Sequence, residues 1–141
     1  MKEQNKAGGK ELKEALGAWL EKFDWDYWAT FTFKYSVQNP INAKKYAERF
    51  LNRFGLDAFY CVERFYLSGD CHLHALLGNA GGMRYKKMYE EWAKRYGRCW
   101  FSEYDRDKKA RFYVTKYVTK DLYDWDIKFN KVKKISFTPR N

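Results

Sequence analysis

Hydrophobic residues along this chain switch between helical and strand spacing. Helices are predicted by apolar positions that recur every three to four residues, over 10–23, 42–54, 84–96 and 107–123. Strands are predicted by apolar and aromatic runs at 26–34, 58–66, 71–77 and 98–104, with one or two short strands within 125–137. This order is typical of an α+β, ferredoxin-like fold, an antiparallel sheet of about five strands with helices packed on it. Residues 1–9 predict a flexible lead before a single domain at 10–141.

The runs at 58–66 and 71–77 are separated by Leu-Ser-Gly-Asp, which is a hairpin signature. Their apolar character predicts a place at the centre of the sheet, while the order of the strands stays open. His72 and His74 lie two residues apart and therefore face the same side of their strand. If the hairpin loop holds an even number of residues, Glu63 lies on that same face.

Two imidazoles and one carboxylate are suitable ligands for a divalent cation such as Mg²⁺ or Mn²⁺, with open positions for a phosphate. For the two histidines alone, hydrogen bonding to neighbouring side chains is the alternative interpretation. A zinc site that uses Cys71 is disfavoured, because adjacent strand residues face opposite sides. The face of Glu63 depends on the register of the loop, which the sequence pattern leaves open.

The helix predicted at 107–123 carries a repeated Tyr-Val-Thr-Lys. Tyr113, Lys116, Tyr117 and Lys120 fall at i, i+3, i+4 and i+7 and share one helical face. A phenol with a pKa of about 10 becomes a useful nucleophile when a cation stabilises its phenolate, and lysine one turn away is placed for that. The alternative is an amphipathic helix with tyrosines on the core and lysines in solvent. Further basic residues that can hold backbone phosphates lead into this helix: Lys108, Lys109 and Arg111.

Composition points to a nucleic-acid partner. The chain has 28 Lys and Arg against 18 Asp and Glu, a formal charge of +10, together with 6 Trp, 12 Tyr and 11 Phe. Positive charge attracts a polyanion, and exposed aromatic rings stack on unpaired bases. Three cysteines, Cys61, Cys71 and Cys99, predict free buried thiols in a reducing cytoplasm. No apolar run is long enough to span a membrane.

Three motifs in this order resemble those of the HUH endonucleases, and most closely the two-tyrosine initiators of rolling-circle replication in single-stranded DNA phages and plasmids. They are Ala-Thr-Phe-Thr-Phe at 29–33, His-Leu-His-Ala-Leu-Leu at 72–77 and the doubled Tyr-Val-Thr-Lys at 113–120. The resemblance implies a metal-dependent, sequence-specific endonuclease and ligase that joins itself to single-stranded DNA through a 5′-phosphotyrosine.

The resemblance also assigns roles to residues. It implies that His72, His74 and Glu63 are metal ligands, and that Tyr113 and Tyr117 are candidate nucleophiles. Lys116 and Lys120 match lysines that position phosphate or assist the phenolate. The remaining candidates for contact with DNA are Thr30, Thr32, Lys34 and Arg64, with the basic residues that lead into the helix.

The partner implied is single-stranded DNA at an origin, including one folded as a hairpin. The chain has no GxxxxGK[ST] loop, so a separate helicase is expected to unwind the duplex. The implied setting is the cytoplasm of a bacterial or archaeal host, with a phage or plasmid as the source. Conjugative relaxases usually have three histidines, which argues against that branch. Two alternatives stay open: a single-strand DNA transposase of the same superfamily, and a non-catalytic module that binds single-stranded nucleic acid.

Overall fold

The computed structural model of the protein describes residues 2–117 and 125–129; the side chains of residues 2–10 and 117 are outside that description. The helices are α1 (Lys2–Leu20), α2 (Pro40–Phe54), α3 (Tyr85–Arg95) and α4 (Lys109–Tyr117). The strands are β1 (Trp25–Phe31), β2 (Asp57–Arg64), β3 (Cys71–Gly78), β4 (Cys99–Glu103) and β5 (Trp125–Lys128). The rest of the helix predicted at 107–123 and of the strands predicted at 125–137 lies outside the described residues.

Helix α1 begins at Lys2 and therefore covers residues that were expected to form a flexible lead; their flexibility stays a prediction. Lysine, glutamate, glutamine and alanine dominate this stretch and are strong helix formers. Their summed preference outweighs that of Gly8 and Gly9, each of which costs about 1 kcal/mol in a helix interior. The polar composition that suggested a frayed lead therefore belongs to the first turns of a helix.

The five strands form one antiparallel sheet in the order β4-β1-β3-β2-β5. The predicted α+β class with an antiparallel sheet and packed helices is confirmed. β3 is the central strand and β2 lies beside it, so the prediction that the hairpin occupies the middle of the sheet is also confirmed. Helices on both faces explain why β2 and β3 are apolar on both sides.

Each face of the sheet has its own hydrophobic core. On one face, a cluster that includes Phe31, Phe50, Leu73 and Trp92 joins the sheet to α2 and α3. On the other face, residues from α1 and α4 pack on the part of the sheet that holds Trp28, Phe59 and Leu76. The continuation of this second face toward the β2–β3 turn carries polar side chains, and the candidate site lies there.

Gly97 permits a close approach between the start of β4 and the end of β1. A Cβ atom at this position would lie 2.6 Å from the backbone nitrogen of Lys34 and 2.7 Å from the carbonyl oxygen of Thr32. We therefore expect Gly97→Ala to lower the free energy of unfolding by about 3 kcal/mol, as measured by urea denaturation.

Gly69→Ala is the matched control for this substitution. Gly69 has a φ of 74° but open space around its Cβ position. Its replacement should cost about 1 kcal/mol, from backbone strain alone. Equal losses for the two variants would contradict the steric account of Gly97.

Among the helices that the structure describes, none has the length and apolar character needed to cross a membrane. The three cysteines are free and buried, as predicted. Burial raises the pKa of the Cys99 thiol to about 12, which keeps this thiol protonated and unreactive at neutral pH.

Candidate metal centre and tyrosine helix

Glu63, His72 and His74 form a cluster on the polar part of the second sheet face. The β2–β3 register pairs Glu63 with His72, which confirms the predicted register and places the carboxylate on the histidine face. One ligand atom from each of the three side chains lies within 4.8 Å of the other two. The Glu63 carboxylate and His72 Nε2 are separated by 3.9 Å.

The cluster has the chemistry and spacing of a metal-binding triad. Two ligands that are each about 2.1 Å from an ion lie about 3 to 4 Å apart, so small side-chain rotations would bring the three atoms to one ion. Two nitrogens and one oxygen leave further coordination positions for a substrate or water. The residues present therefore fit a divalent cation.

The environment keeps His74 in the form that binds metal. Burial, followed by the nearby His72, lowers the pKa of His74 to about 4. The imidazole is therefore neutral at neutral pH, and a proton does not compete with a metal ion for its lone pair. His72 is more deeply buried, with 8% of its surface exposed.

Three neighbouring side chains orient the histidine rings. A hydrogen bond of 3.1 Å joins Thr30 Oγ1 and His74 Nδ1, which leaves His74 Nε2 for an ion. The Trp28 indole stacks on His74 with ring centroids 5.7 Å apart, and the Phe65 ring stacks on His72 at 4.2 Å. Thr30 was expected near DNA on sequence grounds; its hydroxyl contacts His74, and its contact with DNA stays a prediction. Trp28 and Phe65 were not predicted as site residues. Strand alternation with Thr30 was a usable signal for Trp28, whereas the sequence holds none for Phe65.

We expect Thr30→Val to lower Mn²⁺ affinity by about 10- to 100-fold, the range typical of groups that orient a metal ligand. The measurement is isothermal titration of the metal-free protein with MnCl₂. Thr32→Val is the matched control, because the Thr32 hydroxyl donates to the carbonyl oxygen of Arg98 at 2.9 Å and does not orient a ligand. Similar affinities for the Thr30 variant and the unmodified protein would contradict this role.

Tyr113 lies in the hydrophobic core of the second face. It is 5% exposed, and its ring stacks on Trp28 at 5.2 Å and on Tyr104 at 5.5 Å. Its hydroxyl accepts a hydrogen bond of 2.9 Å from the backbone N–H of Asp105. Asp105 follows the end of β4 that pairs with Tyr27, away from the triad. The structure therefore does not bring the Tyr113 hydroxyl to the triad.

Helix α4 packs on the second face of the sheet, the face that also carries the triad. It starts beside Asp105, whose carbonyl oxygen accepts from the Lys109 N–H, and reaches the level of Trp28 at Tyr113. Tyr117 ends the described helix one turn later, about 6 Å farther along the axis. The Lys116 ammonium is exposed and lies 5.1 Å from the Phe112 ring centroid. The predicted residue Lys120 lies outside the described residues.

The basic and polar residues predicted to contact DNA divide into two groups. Thr32 and Lys34 continue β1 at the triad end of the sheet, and the Lys34 ammonium lies 5.4 Å from the Tyr35 ring centroid. Arg64 pairs with Cys71 on the opposite face and donates to the carbonyl oxygen of Gln38 at 3.2 Å. The other group surrounds the start of α4, at the far end: Lys108, Lys109 and Arg111.

Strand alternation also excludes the sulfur ligand considered above. Cys71 belongs to the core cluster of the first face, whereas His72 and His74 face the other side. A zinc site built from Cys71 and the two histidines is therefore excluded within this fold.

Comparisons with models of protein families, with curated proteins and with solved structures find no match to this chain.

Proposed function

We propose that this protein is a metal-dependent endonuclease that nicks and rejoins single-stranded DNA through a 5′-phosphotyrosine, and that it initiates rolling-circle replication. The observation that carries the proposal is the Glu63, His72 and His74 triad on the second face of the sheet, with the tyrosine-bearing helix α4 packed on that same face. The formal charge of +10 favours a polyanionic substrate. Mg²⁺ or Mn²⁺ is the proposed cation, because a carboxylate and open positions for phosphate oxygens suit these ions.

Tyr117 is the proposed nucleophile. Tyr117 lies one helical turn beyond Tyr113 at the end of α4, whereas the Tyr113 hydroxyl bonds to the backbone N–H of Asp105, away from the triad. Tyr113 then has a packing role, in which it holds Trp28 against His74 and so supports the ligand rings. Lys116 offers an exposed ammonium that can neutralise a phosphate beside the helix.

In the nicking step, the Tyr117 phenolic oxygen attacks the phosphorus, a Tyr–O–P bond forms and the bond from phosphorus to the 3′ oxygen breaks. The phenolic proton passes to solvent, and the leaving 3′ oxygen gains a proton to become a hydroxyl. Rejoining reverses these events, because a free 3′ hydroxyl attacks the phosphotyrosine and releases Tyr117. The cation supplies polarisation of a non-bridging phosphate oxygen when it is bound at the triad. Glu63, His72 and His74 would hold it there.

A covalent-capture selection tests this function. The protein is incubated with a pool of single-stranded oligonucleotides of random sequence in MnCl₂, and protein–DNA species are resolved on a denaturing gel. We expect an adduct that resists heat and detergent, that EDTA abolishes, and from which a defined sequence is enriched. Metal-dependent cutting without an adduct would indicate a hydrolase. Metal-independent binding without cutting would instead support a single-stranded nucleic-acid-binding module.

A further inference from the structure

Trp100 is a tryptophan left on the surface of an edge strand. It is 56% exposed, which makes it the most exposed of the six tryptophans of the chain; Trp25, Trp28 and Trp92 are at most 5% exposed. Burial of a large aromatic side chain is strongly favourable, so a partner that covered this exposed indole would gain binding free energy. Cys99 and Phe101, its neighbours on β4, face the first core of the sheet.

The strand register places Trp100 beside the metal-binding triad. Trp100 pairs with Thr30 on β1, and Thr30 pairs in turn with His74 on β3. Directly paired residues share a face, so the indole projects from the same face as His74. Two strand spacings, about 10 Å, separate the Cα atoms of Trp100 and His74. Thr30 lies between the two residues and its side chain forms a hydrogen bond with His74.

We propose that Trp100 is the stacking platform for an unpaired base of the DNA strand whose phosphate lies at the triad. This inference rests on the proposed function. An indole face suits an unpaired base of any sequence, whereas bases within a duplex already stack on one another. The exposed Arg98, immediately before this strand, supplies a positive charge for the adjoining backbone. The second-face core does not include Trp100, so helices α1 and α4 leave its surface open to a strand.

The binding test uses a fluorescein-labelled oligonucleotide of twenty thymidines in MgCl₂, followed by anisotropy. We expect Trp100→Ala to raise Kd by about 5- to 150-fold, the range for loss of one stacked base. Trp100→Phe keeps a ring and should recover most of the affinity, whereas Trp100→Leu keeps bulk without stacking and should not. Circular dichroism establishes that each variant is folded.

Tyr85→Ala is the matched control, because it removes an aromatic side chain of similar exposure. Tyr85 is 52% exposed and stacks on Phe101 of the same edge strand, but on the other face of the sheet. Its replacement should leave Kd within about twofold of the unmodified protein. Equal losses for the Tyr85 and Trp100 variants would overturn the assignment, because they would indicate a general surface effect.

Photocrosslinking separates this proposal from the proposed function. A thymidine oligonucleotide containing 5-iododeoxyuridine is irradiated with the protein, and the crosslinked peptide is identified by mass spectrometry. We expect a crosslink at Trp100. Binding with crosslinks confined to other residues would overturn the stacking role and leave the nicking function standing. Failure of the unmodified protein to bind any single-stranded DNA would overturn both.

Discussion

Tyr117→Phe is expected to lower formation of the covalent protein–DNA adduct by at least about 10³-fold, because removal of the attacking oxygen leaves no group to receive the phosphate. The measurement is a denaturing gel with the oligonucleotide enriched by covalent capture, in MnCl₂. Binding of the same oligonucleotide should stay within a few fold of the unmodified protein, since phenylalanine differs from tyrosine only by the loss of the hydroxyl.

Tyr113→Phe is the matched control for the nucleophile. This variant should keep adduct formation within about tenfold of the unmodified protein. It should lose about 1 kcal/mol of stability, because the Asp105 N–H loses the hydroxyl that accepts its hydrogen bond. If the Tyr113 variant were inactive while the Tyr117 variant formed the adduct, the assignment of the nucleophile would be reversed. Loss of the adduct in both variants would indicate that the attack also depends on the Tyr113 hydroxyl, which would contradict a packing role alone for Tyr113.

His74→Ala should lower Mn²⁺ affinity by more than about 100-fold, beyond the effect of losing an orienting neighbour, and should remove metal-dependent nicking. The triad supplies three ligand atoms within 4.8 Å of one another, so loss of one leaves two. Isothermal titration measures the affinity, and a gel measures nicking. Binding of single-stranded DNA without metal should persist, because it depends on basic and aromatic surface rather than on the ion.

Substitution of two different glutamates tests whether Glu63 is a metal ligand, with one as the test and the other as the control. Glu63→Gln removes the charge of the triad and should weaken Mn²⁺ binding by at least about tenfold, whereas Glu103→Gln changes an exposed carboxylate on the edge strand and should leave it unchanged. Equal Mn²⁺ affinities for the Glu63 variant and the unmodified protein would show that Glu63 is not a ligand. The metal site would then consist of the two histidines alone.

Strand periodicity made the metal cluster predictable. Two histidines at i and i+2 share a face in any strand, and a hairpin loop with an even number of residues brings Glu63 opposite His72. The bond between Thr30 and His74 depends on the β1–β3 register instead. That pairing is remote in sequence, and an irregularity between Trp25 and Tyr27 shifts it, so local patterns do not determine it.

The role of the tyrosines could not be read from helical spacing. Spacing places Tyr113 and Tyr117 on one face of α4 but does not say where along the sheet that face meets the core. The structure depends on a tertiary contact: a Cβ atom on Gly17 of α1 would lie 2.8 Å from the Cα atom of Arg111. This close approach seats α4 deeply on α1 and buries Tyr113, a consequence of packing that no local propensity encodes.

We propose that a metal held by Glu63, His72 and His74 directs attack by Tyr117 on single-stranded DNA. The most direct measurement is tandem mass spectrometry of peptides from the protein–DNA adduct, formed in MnCl₂ and compared with a reaction in EDTA. We predict a nucleotide remnant on Tyr117 that requires the metal. A remnant on a different residue, or one that forms equally in EDTA, would contradict the claim.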